Sequence, residues 1–136
     1  MRFAASLSLL ALVACGGSGG GSSTPTVAVL TITSAGISSP TGSATVSIPN
    51  PGNVKFTNAD TVSHNIMLSS VGGTAPTDCN PLNVGVIAAG ASSAQLALIN
   101  NTTANETCSF VDASNASAAF SGSITILTTN TGGSGY

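Results

Sequence analysis

The residues able to do chemistry in this chain are few. It holds one histidine, His64, and three cysteines, Cys15, Cys79 and Cys108. Imidazole nitrogen and thiolate sulfur are donors that zinc accepts, and Asp112 could add a carboxylate. His64, Cys79, Cys108 and Asp112 are thus a conceivable zinc set, although no short spacing of a zinc motif links them. The competing reading of His64 is a satisfied, partly buried imidazole at the start of a strand. Met67 falls between Ile66 and Leu68, on the face opposite His64 if the segment is a strand, and reads as packing. Nucleophilic catalysis needs a nucleophile, a base and an orienting group within hydrogen-bond reach. Ser63, His64 and Asp60 are suitable types, but adjacent strand residues point to opposite faces, so Ser63 cannot easily serve His64. No catalytic residue is assigned, and an enzyme is not expected.

Cys15 belongs to a separate feature. Met1 and Arg2 give a short positive start, followed by an apolar run over 3–13 that is too short to span a bilayer. The run ends in Leu12-Val13-Ala14-Cys15-Gly16, which resembles the lipobox of bacterial lipoprotein precursors. That resemblance implies a signal peptide over 1–14 and a diacylglycerol on the Cys15 thiol. Residues 15–25, mostly glycine and serine, then read as a lipidated cysteine and flexible tether. The expected location is the bacterial cell envelope, at the outer membrane on its periplasmic or outer face. The membrane partner is reached through buried lipid chains, not a spanning helix.

With Cys15 assigned to the lipid, Cys79 and Cys108 form an even pair. In an exported chain such a pair reads as a disulfide. A bridged loop of about thirty residues contributes about 3–4 kcal/mol in the chain-entropy description. The rival reading keeps Cys108 as a free thiolate and metal ligand.

Charged residues make up only 4% of the chain, against roughly 25% in an average soluble protein. Beyond the leader the only base is Lys55, facing Asp60, Asp78, Glu106 and Asp112. Without a basic patch, nucleic acid is not a partner. The surface is neutral serine, threonine and asparagine, with little charge repulsion against self-association.

The elements that must position these residues are strands. Short runs of Val, Ile, Thr and Leu alternate with Gly, Pro, Asn and Ser, the pattern of an all-β sandwich. Strands are predicted over 26–33, 43–48, 53–58, 63–69, 84–87, 94–99, 106–111 and 121–127. Alternation places Val54 and Phe56 on one face, His64, Ile66 and Leu68 on one face, and Cys108 with Phe110. Residues 70–83 and 112–119 read as loops. The domain is expected over 26–128, with a flexible tail at 129–136.

Three segments, taken in order, resemble the cupredoxins, the plastocyanin-like blue copper domains. They are Val54-Lys-Phe-Thr-Asn58 leading to His64-Asn-Ile66, Val86-Ile-Ala-Ala-Gly90-Ala-Ser92, and Cys108 followed by Gly122-Ser-Ile-Thr-Ile126. The resemblance implies a Greek-key β-sandwich of about eight strands. It also implies a metal position, with His64 matching the family's first histidine and Cys108 its thiolate. A blue-copper centre takes two imidazoles and a thiolate in a plane, with a long axial contact. By the family's spacing the second histidine falls at Val111 and the axial methionine at Phe120, so the site is incomplete. Thr77-Asp78-Cys79-Asn80-Pro81 further resembles an Asp-Cys-Pro element of some bacterial cupredoxin-like sequences. It would bring Cys79 to the ligand end, near Cys108, and a bridge there would consume the thiolate. Val111 and Phe120 would then fill the former metal pocket.

The function implied is a lipid-anchored, cupredoxin-like envelope module without a complete blue-copper site. It would act in binding or structure toward an envelope protein, with no cofactor. The alternative is a copper-binding periplasmic electron-transfer or copper-handling protein using His64 and Cys108.

Overall fold

A computed structural model describes residues 27–70 and 73–128. The leader, Cys15, the tether and the tail at 129–136 lie outside the described residues. Nine strands form two sheets: β1 (Val27–Thr33), β2 (Gly36–Ser38), β3 (Thr45–Ile48), β4 (Gly52–Asn58), β5 (His64–Leu68), β6 (Gly85–Ile87), β7 (Leu96–Leu98), β8 (Glu106–Asp112) and β9 (Ser121–Ile126). One sheet runs β2-β1-β4-β7 and the other β3-β9-β8-β5-β6. The β1–β4 and β3–β9 pairs are parallel, and the remaining pairs are antiparallel. Two short 3-10 turns, Thr77–Leu82 and Ala118–Phe120, are the helical elements among the described residues.

The alternation read from the sequence is the alternation that packs. Val54 and Phe56 of β4 are buried, as are Leu30 and Ile32 of β1, while their neighbours face outward. Phe110 of β8 comes from the other sheet and meets Phe56 edge-on, with ring centroids 5.2 Å apart at 81°. This aromatic pair ties the two layers at the centre of the core. Edge-to-face contact puts a ring's positive rim against its partner's negative face, a stabilising arrangement beyond area burial. Ile48, Ile66, Leu82, Leu98, Ile124 and Ile126 complete a fully buried set around it.

Two differences from the sequence reading have clear causes. Strand β2 was not predicted because Gly36-Ile37-Ser38 is too short to show a period. Gly36 adopts φ +138°, and a Cβ there would collide with the Ala119 carbonyl. Glycine is therefore required where β2 passes the turn before β9. Met67 does point away from His64, but it stands on the solvent face and is 42% exposed, so it is not a packing residue.

Candidate functional site

The turn before β5 is built to present His64. Asn58, fully buried at the end of β4, directs its amide nitrogen to the carbonyls of Val62, Ile87 and Ala88 at 2.8, 3.0 and 3.1 Å. Its Oδ1 accepts the Asp60 N–H at 2.9 Å. One side chain thus fixes the 59–63 turn and ties it to the end of β6, whose Ile87 pairs with His64.

His64 is 4% exposed, and both ring nitrogens are engaged by carboxylates. Nδ1 lies 2.6 Å from Asp112 Oδ2, and Nε2 lies 3.2 Å from Asp60 Oδ2. Asp112 is fully buried at the end of β8. Its other oxygen accepts the backbone N–H groups of Asn65 and Ser114, each at 2.9 Å. Phe120 stacks on the imidazole, with centroids 5.5 Å apart and planes 17° from parallel.

The electrostatics follow from this arrangement. Burial works against a charged His64 ring, but the hydrogen bonds to Asp112 and then Asp60, with their charges, outweigh it and raise the pKa. Burial likewise opposes ionisation of Asp112, yet the His64 ring and the two backbone N–H groups hold its carboxyl below the ordinary value. The Thr61 N–H is the main influence keeping Asp60 low, with His64 adding to it against partial burial. Both carboxylates favour the protonated form of the ring they hold between them.

Cys79 and Cys108 are joined in a disulfide with Cα atoms 5.4 Å apart. The pairing expected from the even cysteine count is present. Its place is not the one the family spacing implied. The β5–β8 register sets Met67 against Val111 and Leu68 against Phe110, which carries Cys108 opposite Ser70, six residues from His64 along the strand. At about 3.4 Å per residue this is about 20 Å. The bridge and His64 therefore occupy opposite ends of the sheet. The conceivable zinc set is split into Cys79 with Cys108 and His64 with Asp112.

The family resemblance would put Val111 in the pocket. The residue alternates with the buried Phe110 and Asp112, so it points to the outer face beside Met67 and does not fill the pocket. The β8 residue that meets His64 is Asp112. Phe120 is 5% exposed and does pack there, as expected. Ser63 is exposed and has no part in the cluster. The sequence shows Asp112 as a carboxylate but predicts a strand ending at Val111, one residue short of the observed end of β8.

The donor set does not fit a blue-copper ion. Such a centre needs two imidazoles and a thiolate in one plane, and here a single imidazole has both nitrogens occupied while the sulfurs are oxidised and remote. The same occupancy leaves His64 no free nitrogen to act as a general base.

At the other end, Glu106 is 8% exposed and sits beside the disulfide, with Oε1 3.7 Å from Cys79 Sγ. Its Oε2 is buried with no partner among the described residues. Burial, with a smaller contribution from the Asp78 charge, pushes its carboxyl above the ordinary value.

A search of solved structures finds plastocyanin from Dryopteris crassirhizoma in its oxidised form, at TM-score 0.53 and 15% identity, covering 72% of this chain and 98% of that one. The fold is cupredoxin-like. A purple cupredoxin from Nitrosopumilus maritimus matches equally well, at TM-score 0.53 and 18% identity, with 73% and 98% of the chains covered. No protein-family model and no curated protein matches the sequence. At these identities the cupredoxin-like likeness is one of fold, and chemistry must be argued from the residues themselves.

Proposed function

We propose that this protein is a lipid-anchored, cupredoxin-like module of the bacterial cell envelope that works in binding or structure, without blue-copper electron transfer and without catalysis. The observation that carries the reading is the double engagement of His64. A metal-binding imidazole must leave one nitrogen bare, and here Asp112 and Asp60 hold both. Stacking of Phe120 on the ring supports the same conclusion, because it fills the space beside the imidazole with an apolar group. The lipid anchor rests on the Leu12-Val13-Ala14-Cys15 segment and the glycine-rich tether after it. Such a tether gives the domain reach from a membrane surface.

Adding Cu(II) to the purified protein tests the reading. The expected result is no intense thiolate-to-copper absorption in the visible range. A coloured complex of one copper per chain would overturn this reading and favour the copper-handling alternative. Labelling of Cys15 by a radioactive fatty acid in the producing cell, abolished by Cys15→Ala, tests the anchor separately.

A further inference from the structure

A disulfide that serves only as a staple needs no carboxylate beside it. Burying one with an oxygen unpartnered is destabilising, and such groups in native proteins call for an explanation. Glu106 is such a group. It is 8% exposed, its Oε2 has no partner among the described residues, and Oε1 lies against Cys79 Sγ. The sulfurs of Cys79 and Cys108 and a Glu106 oxygen all lie within 4.8 Å of one another, the one such group of three found among the described residues. Two thiolates and a carboxylate at that spacing are a donor set suited to zinc and its thiophilic relatives.

We propose that reduction of the Cys79–Cys108 bridge converts this end of the sandwich into a binding site for one thiophilic divalent cation, held by Cys79, Cys108 and Glu106. The reductant is a dithiol. Its two electrons and two protons break the protein S–S bond and yield two thiols, while its own sulfurs join in a new disulfide. The cation then displaces the two thiol protons, and the Glu106 carboxylate supplies the third donor, which leaves the site with one net negative charge. The unpartnered Oε2 is free to make a further contact to the same ion. A cavity of about 150 Å³, bordered by Leu68, Pro76, Thr107 and Ser109, reaches Cys79, one half of the bridge. The site is distinct from the His64 cluster and does not depend on the function proposed above.

Cadmium is the direct probe. The protein carries Cys15→Ser so that no third thiol competes. It is reduced with a phosphine, which becomes the phosphine oxide with water supplying the oxygen and the thiol protons, and is then freed of reductant. The expected result is thiolate-to-cadmium absorption in the ultraviolet that saturates at one ion per chain and is missing from the oxidised protein. Glu106→Gln, checked as folded in its oxidised form by circular dichroism, is expected to weaken cadmium binding about tenfold or more, at least the loss seen for an outer-sphere partner. A reduced chain that takes up no cadmium, folded or unfolded, overturns the proposal. So does uptake that Glu106→Gln leaves unchanged, since two thiols alone would then account for it.

Discussion

His64 and Asp112 stand 48 residues apart in sequence and meet with Nδ1 and Oδ2 2.6 Å apart inside the β5–β8 pair. The contact joins a strand start to a strand end. Because Asp112 also receives the N–H groups of Asn65 and Ser114, it organises the backbone on both sides of the ring. Losing Asp112 removes a charge-assisted hydrogen bond from Nδ1, while Asp60 still holds Nε2 of the ring. Asp112→Asn is therefore expected to lower the unfolding free energy by about 1.5–3 kcal/mol, the worth of a hydrogen bond to a charged group, measured by urea denaturation. A change below 1 kcal/mol would show that the pair is not structural.

The same pair sets a pH profile. The raised pKa of His64 gives a contribution fully present below the ordinary histidine value of 6.5 and lost as pH rises through the folded value. The lowered pKa of Asp112, reinforced by Asp60, gives a contribution present above the ordinary value of 3.8 and lost as pH falls through the folded value. Glu106 has a raised pKa and erodes stability above its ordinary 4.5, so Glu106→Gln is used as background to remove it. In that background stability is expected to hold level from about pH 4 to 6.5 and to fall on either side, by denaturant titration at each pH. A continuing rise above pH 7 would contradict a charged, paired His64.

The disulfide is an independent brace. It closes a separation of 29 residues, for which chain entropy gives about 3–4 kcal/mol. Cys79→Ala combined with Cys108→Ala is expected to lose about that much stability and to keep the spectrum of the His64 end. Calorimetry or urea denaturation checks the first, and the ring signals of His64 the second.

Gly122 is a test of close packing. A Cβ at this position of β9 would press on Ala44 and come within 2.6 Å of the Phe110 ring. Gly122→Ala is expected to destabilise by about 1–3 kcal/mol, the usual effect of overpacking. The melting temperature reads this directly, and an unchanged value would contradict the packing described.

These residues also explain what sequence could and could not supply. Alternation in β4, β5 and β8 is readable because each strand has one buried and one exposed face, so Val54 with Phe56, His64 with Ile66, and Cys108 with Phe110 each fall on one face. Cysteine parity supplied the bridge. Register between strands leaves no trace in a single sequence, and register alone decides that Asp112, not Cys108, reaches His64. Family spacing misled for the same reason: Cys108 lies four residues before the position that meets the imidazole. Glu106 went unremarked because its neighbour Cys79 lies 27 positions away in the chain.

The reading without a blue-copper centre rests on a His64 ring held at both nitrogens by carboxylates. His64 is the only histidine in the chain, so its ring nitrogens can be followed by nitrogen-15 nuclear magnetic resonance without ambiguity. Both nitrogens are expected to be protonated at neutral pH, above the ordinary histidine pKa, with signals unchanged after one equivalent of Cu(II). A neutral ring with one bare nitrogen whose signal is broadened away by that copper would contradict it.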